Sequence, residues 1–256
     1  MNSKKLILVT NDDGITAPGI LFLSKIAKQF ADVCVIAPDK AQSGMGHAIT
    51  LNSTLRIEQT NLHHVNYEYS CSGTPVDCVK LGVNKFLDRK PDMILSGINH
   101  GANLSINVIY SGTMSAALEG SIEGIPSVGF SLCDFSIDAD FSPCEHVVKQ
   151  VIEKMLSHKF TEPVCLNVNI PKLKADEMEG IKACRAARGN WIEEFDERKD
   201  PSGKPYYWLT GKFINFEEGN PDTDLYLNKQ GYVTVVPVSF DLTNHGQVKN
   251  IAKLFN

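Results

Sequence analysis

The sequence predicts an α/β protein in which a doubly wound, mostly parallel β-sheet is followed by a C-terminal region of β-hairpins. Short β-branched runs alternate with amphipathic helical segments through the first two thirds of the chain. The predicted strands are almost continuously apolar, which is typical of a parallel sheet covered by helices on both faces. The chain has 256 residues, 43% of them hydrophobic, and can therefore bury such a core.

The first elements form a β-α-β unit. Residues 6–10 are a β-branched strand, residues 18–30 show the apolar spacing of an amphipathic helix, and residues 33–36 form a second strand. Pro18 suits the first turn of the helix, where its missing amide hydrogen costs nothing. Two strands joined through one helix are the repeating unit of a parallel sheet.

The same alternation continues to about residue 170. Thr74 can cap a helix that Pro75 opens. The expected elements are, in order, a helix from Pro75 to about Phe86, a strand at 93–95, a loop rich in glycine and asparagine to about Gly112, a helix at 113–123, a strand at 128–132, a helix at 145–158 and a strand at 164–170.

The character of the chain changes after about residue 180, where aromatic residues appear among charged and turn residues. We expect strands and long hairpins over residues 180–243 and a terminal helix over 245–255. These patterns divide the chain into a catalytic core, residues 1–179, and a hairpin and helix region, residues 180–256, that no linker separates cleanly. The second region is expected to reach away from the sheet and to contact another subunit.

The composition excludes several classes of protein. The formal net charge of -5 gives no electrostatic basis for binding polynucleotides or anionic membranes. Membrane-spanning helices need about 20 apolar residues, and the apolar runs here are far shorter. Residues 1–5 are basic, but the apolar run after them stops at Thr10, which makes a poor signal peptide and predicts a cytoplasmic protein. The seven cysteines are scattered without a C-x-x-C pair, as expected of reduced, structural thiols.

Three polar loops follow strands of the predicted sheet, at the edge where open α/β sheets bind ligands. The first contains Asp12 and Asp13, whose carboxylates a turn at Gly14 can bring together. The second and third add the Ser43 hydroxyl and the Asn99 carbonyl, and oxygen donors of this kind suit Mg²⁺ or Mn²⁺. We therefore predict one divalent cation per subunit, although an Asx turn with solvated acids explains the pair equally well.

A place for phosphate is predicted where residues 111–113 precede a helix. Free amides and the helix dipole at this point form an anion site, although the hydroxyls can equally cap the helix. The residues that we assign to the phosphate or substrate are Asn11, Gly44, Asn103, Ser111, Gly112 and Thr113. No Walker loop, dinucleotide fingerprint or serine-hydrolase elbow is present.

Two loop histidines, His47 and His100, could protonate a leaving alkoxide, but each is as readily a hydrogen-bonded loop residue. His63 has no apparent chemical partner in the sequence and is expected to be structural or exposed.

Five motifs in order resemble the SurE family of stationary-phase survival proteins. They lie at residues 7–14, 38–44, 72–78, 96–103 and 110–120. The resemblance implies a Rossmann-like core, a C-terminal part exchanged between subunits in homodimers or homotetramers, and the metal ligands Asp12, Asp13, Ser43 and Asn99. It also implies hydrolysis of nucleoside 5'- and 3'-monophosphates, with short polyphosphate as a further substrate.

This chain departs from the pattern at residues 104–109, where many relatives carry acidic residues, and at Met114 and Ser115. The departures leave the predicted metal ligands intact and affect the shape of the pocket.

The predicted mechanism assigns the proton of the attacking water to Asp13 and treats Asp12 chiefly as a ligand, with an aspartyl-phosphate intermediate as the alternative. A different class of protein, a non-catalytic nucleotide-binding regulator, could use the same pocket as a sensor. A nucleotide-sugar glycosyltransferase would also share the core, but it normally shows a D-x-D spacing that is absent at this site.

Overall fold

A computed structural model describes residues 4–255 of the chain. Residues 1–3, which are part of the basic stretch 1–5 considered in the prediction about a signal peptide, and Asn256 lie outside the described range. The strands are β1 (Leu6–Thr10), β2 (Asp32–Pro38), β3 (Ile57–Gln59), β4 (Tyr67–Cys71), β5 (Met93–His100), β6 (Ser127–Leu132), β7 (Cys165–Ile170), β8 (Ile181–Ala183), β9 (Gly189–Lys199), β10 (Pro205–Asn215) and β11 (Val233–Val238). The helices are α1 (Pro18–Ala27), α2 (Pro75–Leu81), α3 (Gly112–Ile122), α4 (Glu145–Ser157), α5 (Asp224–Lys229) and α6 (His245–Phe255).

Nine strands form one sheet in the order β3-β4-β2-β1-β5-β6-β7-β11-β8. The six strands from β4 to β7 are parallel, whereas β3 pairs antiparallel with β4 and β11 pairs antiparallel with β7. The chain moves outwards from β1 in one direction and then returns to its other side at β5. This confirms the predicted doubly wound sheet and places its switch point between β1 and β5.

Helices cover the two faces of the sheet with separate parts of the core. One part includes Leu23 and Ile26 of α1, Val148 of α4 and Phe130 of β6. The other includes Val79 of α2 and packs against the opposite side. Because both faces are covered, the central strands are apolar along nearly their whole length, as the sequence predicted.

Most predicted elements of the core are confirmed. The capping of α2 is also confirmed, because Thr74 Oγ1 accepts from the Asp77 amide at 3.1 Å and the Asp77 carboxylate accepts from the Thr74 amide at 2.9 Å. The predicted helix to Phe86 is divided, with α2 ending at Leu81 and a π-helical turn covering Gly82–Phe86.

One boundary prediction was wrong. The polar stretch after residue 95 was predicted to be a loop, but β5 continues to His100. Pairing with β6 stabilises the continuation, since Asn99 lies opposite Ser131 after an irregularity in the register that begins at Ser96. Residues 105–109, also predicted to be loop, form a 3₁₀ helix.

The C-terminal region is partly in the sheet and partly outside it. Strands β8 and β11 belong to the main sheet, while β9 and β10 form a separate antiparallel ribbon. The hairpin and the terminal helix are confirmed, but α5 was not predicted. The ribbon and α6 are together called the arm below. Within residues 4–255, no helix is long and apolar enough to cross a membrane.

Candidate metal and phosphate site

Asp12 and Asp13 follow β1 at the switch point of the sheet, and their surroundings differ. Asp12 is only 3% exposed, whereas the side chain of Asp13 is 18% exposed. Gly14 turns the chain with a positive φ of 99°, and the Asn11 amide group donates to the Gly14 carbonyl at 2.9 Å. Residues 11–15 are called the paired-acid turn below. It presents one buried and one accessible carboxylate.

The Asp12 carboxylate lies against the start of α3. Its Oδ1 accepts a hydrogen bond from the Thr113 hydroxyl. A Cβ atom at Gly112 would lie 2.7 Å from Asp12 Cβ, so only glycine permits this approach. Burial, and secondly the charge of Asp13, raise the pKa of Asp12 to about 6 against the opposing effect of Thr113. Asp12 therefore carries a charge that the protein alone compensates poorly.

The extended end of β5 brings His100 to Asp13, and Asn99 precedes it in the same strand. The His100 amide donates to Asp13 Oδ2 at 3.4 Å, and His100 Nδ1 lies 3.6 Å from the same oxygen. The Asn99 side-chain nitrogen donates to the Gly101 carbonyl at 2.9 Å. This orientation leaves the Asn99 carbonyl oxygen as an acceptor, which is the role that a metal ligand requires.

The loop that contains Ser43 crosses the same edge of the sheet. The Gln42 amide donates to the Asp12 carbonyl at 2.7 Å, and the Gly46 amide donates to the Tyr110 carbonyl at 3.2 Å. Ser43 and Gly44 lie between these two contacts and are exposed. The loop therefore spans the interval between the paired-acid turn and the segment that precedes α3, with its hydroxyl and amide groups available.

The predicted phosphate residues around α3 are already engaged in the protein. Ser111 caps α3, because its hydroxyl accepts from the Met114 amide at 3.1 Å. The Thr113 hydroxyl bonds Asp12, and Asn11 is completely buried in its turn. Asn103 donates to the Ser131 hydroxyl at 2.8 Å. Exposed donors near the acids are present on the Ser43 loop.

A network of ionisable groups around the buried Glu119 links this loop to α2 and α3, and the sequence did not predict it. Glu119 contacts His47 Nε2 at 2.8 Å and Lys80 Nζ at 2.5 Å. Although burial alone would raise the pKa of Glu119, the hydrogen bonds from His47 and Lys80 hold it below its ordinary value. His47 is thus bonded to a buried carboxylate. An acidic residue inside a helix of small residues was the one available signal.

The oxygen donors fit a hard divalent cation. The Asp12 charge lacks full compensation, the side-chain Oδ1 of Asn11 is buried without a hydrogen-bond partner, and the side-chain oxygen of Asn99 accepts no hydrogen bond from the described residues. No group of three His, Cys, Asp or Glu residues that could hold a metal occurs between residues 4 and 255. The predicted set is of another type, two carboxylates with a hydroxyl and an amide, which suits Mg²⁺ or Mn²⁺ better than Zn²⁺.

Known proteins are similar to this chain over nearly its whole length. The family model described as Survival protein SurE matches residues 7–193. A relative named 5'-nucleotidase SurE from Christiangramia forsetii is 58% identical over 255 residues, with 98% of each chain covered. One of the same name from Flavobacterium psychrophilum is 54% identical over 248 residues, with 96% of each covered.

Among solved structures, the crystal structure of the SurE protein from Aquifex aeolicus superimposes with a TM-score of 0.85. It is 38% identical and covers 98% of this chain and 100% of its own.

Proposed function

This chain belongs to the SurE family, and we propose that it is a divalent-metal-dependent phosphomonoesterase that hydrolyses nucleoside 5'- and 3'-monophosphates to nucleoside and inorganic phosphate. The finer parts of the proposal are the metal, the activity on 3'-nucleotides and short polyphosphate as a further substrate. The name 5'-nucleotidase of the relatives supports the substrate class.

The observation that supports the metal requirement best is the asymmetry of the paired acids. Asp12 is buried against α3 and cannot disperse its charge into water, while Asp13 beside it remains accessible. Two adjacent carboxylates in such surroundings repel each other unless a cation is bound between them. We assign Asp12, Asp13, Ser43 and Asn99 as the ligands of one Mg²⁺ or Mn²⁺ per subunit.

A bound divalent cation supplies Lewis-acid polarisation of the phosphoryl group and a water molecule of lowered pKa. The chain's own groups then divide the remaining tasks. Asp13 is accessible and can accept the proton of the attacking water, while Thr113 and Gly112 fix the Asp12 carboxylate in one orientation. The exposed amides around Gly44 can donate to the phosphate. The oxygen of water would form a bond to phosphorus as the bond to the ribose oxygen breaks, and the proton taken up by Asp13 would pass to the departing ribose oxygen, which leaves as the hydroxyl of the nucleoside.

The alternative is a regulatory protein that binds nucleotides in the same pocket without turnover. Both functions need the phosphate contacts, but only the enzyme needs a group that accepts a proton beside the metal. The accessibility of Asp13 next to a buried Asp12 favours the enzyme.

The test is release of inorganic phosphate from a panel of 5'- and 3'-nucleoside monophosphates and short polyphosphate, with Mn²⁺, Mg²⁺ or a chelator present. We expect metal-dependent release, and a loss of at least about 100-fold in Asp13→Asn, since even changes around the ligands of a metal cost 10- to 100-fold. Asp88→Asn is a matched control, because Asp88 is an exposed acid at the opposite end of the sheet.

Nucleotide binding without release from any monoester would favour the sensor. Near-normal rates in Asp13→Asn would remove Asp13 from the mechanism.

We propose further that the arm joins subunits into a homodimer or homotetramer. Alternation along β9 and β10 places Trp191, Phe195, Tyr207, Leu209 and Phe213 on one face of the ribbon. In α6, Val248, Ile251 and Leu254 lie on one side, and no residue of this helix is buried within the chain. Groups of exposed apolar side chains on one face, such as these two, are typical of protein interfaces.

A further inference from the structure

A histidine outside the three loops, His63, is bonded to the paired-acid turn. We infer that His63 is a positioning residue, which holds the turn in the conformation that binds the metal. The inference rests on the proposed metal site. His63 lies in the connection between β3 and β4, 48 residues beyond Ile15 in the chain, and only 3% of it is exposed.

Both ring nitrogens of His63 have partners. Nε2 lies 3.0 Å from the Ile15 carbonyl oxygen, and Nδ1 lies 2.8 Å from the Ser24 hydroxyl on α1. The main chain of His63 is fixed as well, because its amide donates to Glu68 at 2.9 Å and its carbonyl accepts from Lys28 at 2.8 Å. The residue is therefore held by four hydrogen bonds, two to its ring and two to its main chain.

These contacts determine which nitrogen carries the proton. A carbonyl oxygen can only accept, so Nε2 must be the protonated nitrogen that donates to Ile15. In the neutral ring Nδ1 then accepts the hydrogen of the Ser24 hydroxyl at 2.8 Å, a shorter contact than that of the same hydroxyl to the Leu21 carbonyl at 3.0 Å. Burial, the largest influence, lowers the pKa of His63 and agrees with a neutral ring.

The bond to Ile15 completes a series of restraints on the turn. The Asp12 carbonyl accepts from Gln42, the Gly14 carbonyl accepts from Asn11 and Ala17, and the Ile15 amide donates to the Pro38 carbonyl at 2.8 Å. These partners lie within the turn, at the start of α1, at the end of β2 or in the neighbouring Ser43 loop. His63 alone in this series ties the turn to the β3–β4 connection.

Loss of the His63 ring would leave the Ile15 carbonyl buried without a donor and would release the turn on one side. Asp13 is two residues away, and small displacements of reacting groups have large effects on rate. Mutation of a group that orients the ligands of a metal typically lowers metal affinity or activity by about 10- to 100-fold. His63 would orient Asp12 and Asp13 in this way, acting through the main chain of the paired-acid turn.

The test compares His63→Ala with His63→Gln, whose side-chain amide can donate to Ile15 and accept from Ser24. Mn²⁺ binding to the chain is measured without substrate by calorimetry, and phosphate release is measured as a function of Mn²⁺. We expect His63→Ala to weaken Mn²⁺ binding by roughly 10- to 100-fold and His63→Gln to restore it to within about threefold.

The control is Val236→Ala, a buried core change on β11, four strands away from β1 in the sheet. This variant should lower the thermal unfolding temperature while leaving Mn²⁺ affinity unchanged. If His63→Ala does not fold, Ser24→Ala, which removes the partner of Nδ1 and a contact to the Leu21 carbonyl within α1 but leaves the bond to Ile15, should give a smaller weakening of the same kind.

Several outcomes would overturn the inference. Unchanged Mn²⁺ affinity in His63→Ala, or in Ser24→Ala where His63→Ala does not fold, would reduce His63 to a core residue. An equal weakening in Val236→Ala would assign the effect to stability. Failure of the unaltered chain to bind Mn²⁺ would remove the metal site and this inference with it. Mn²⁺ binding without phosphate release would contradict only the proposed function, and the role of His63 would still be tested by binding.

Discussion

Two regions depart from the usual pattern of burial in opposite ways. One is the edge of the sheet that carries the paired acids, and the other is the arm that leaves the sheet. At the edge, polar groups such as the Asp12 carboxylate and the side-chain Oδ1 of Asn11 are buried without full compensation. In the arm, large apolar side chains such as Phe195 and Leu209 are exposed, at 63% and 65%. Each arrangement is unfavourable in the isolated chain.

The difference indicates what each region requires. A buried carboxylate is stabilised by a cation or a hydrogen-bond donor, so the paired-acid turn is suited to an ion and a charged substrate. An apolar ribbon face is stabilised by another apolar surface, so the arm is suited to a protein chain. The uncompensated charge at the turn therefore supports the proposed metal ion, and the exposed apolar face of the arm supports the proposed second subunit.

The largest effect on stability is expected from Asp12→Asn in the metal-free protein. The folded pKa of Asp12 is about 6 against an ordinary value of 3.8. A raised carboxyl pKa destabilises the folded state as pH rises from about 4 to 6, and the penalty is complete above that range. At 1.36 kcal/mol per pKa unit, Asp12→Asn should gain up to about 3 kcal/mol at pH 7.5, and little near pH 4.

The measurement is chemical unfolding in a chelator at both pH values. Asp13→Asn is the comparison, since it removes only the weaker, charge-based contribution to the Asp12 pKa and should gain less. Asp12→Asn should at the same time lose phosphate release, which would show stability exchanged for function. A variant that is less stable than the unaltered chain at pH 7.5 would contradict the interpretation of Asp12 as an uncompensated charge.

A second effect is expected in the arm. Phe195 and Leu209 are cross-strand partners on the same face of the ribbon, so Phe195→Ser with Leu209→Ser removes the centre of that face. Well-packed residues at the centre of an interface can each contribute roughly 2 kcal/mol or more to association, so the double variant should dissociate the proposed oligomer to smaller species. Light scattering after size-exclusion chromatography gives the mass.

The matched control is Trp208→Ser, because Trp208 is 58% exposed and points to the opposite face of the ribbon. Dissociation in Trp208→Ser but not in the double variant would assign the interface to that face instead. Thermal stability of the separated subunits should change little in either case, since exposed substitutions usually have small effects.

The core elements were predictable from sequence because each carries its own signal, an apolar run or a helical repeat. Strands β3 and β4 lack that signal. Strand β4 contains Glu68, whose burial depends on donors from Thr60, Leu62 and His63 that only the folded chain brings together. Helix α5 has six residues, which is too short for a helical period to be recognised.

The grouping of the three loops at one edge was also predictable, because parallel strands end together. Their contacts were not. Thr113 was assigned to phosphate on the pattern of a helix start, but its hydroxyl is bonded to Asp12 from a loop 101 residues away. No sequence motif indicated the role of His63. Its partners Ile15 and Ser24 come close to it only when α1 packs beside the β3–β4 connection.

The smallest effect is expected at the base of the arm, with the opposite dependence on pH. Hydrogen bonds from Arg185, and secondly from the Arg188 amide, lower the pKa of Glu217 to about 2. A lowered carboxyl pKa stabilises the folded state above about pH 4.5, and this contribution is lost as pH falls towards 2. Because water screens charges at this surface, the contribution is local and modest.

Glu217→Gln should therefore increase amide hydrogen exchange at the base of the ribbon near pH 7, where the Phe216 amide donates to the Arg188 carbonyl at 2.9 Å. The difference from the unaltered chain should shrink as the pH of the exchange period is lowered below 4. Glu218→Gln, a change at the adjacent exposed acid, should leave exchange unaltered. If Glu217→Gln leaves exchange unaltered at pH 7, the ion pairs do not fix the arm's base, and its orientation depends on the apolar face alone.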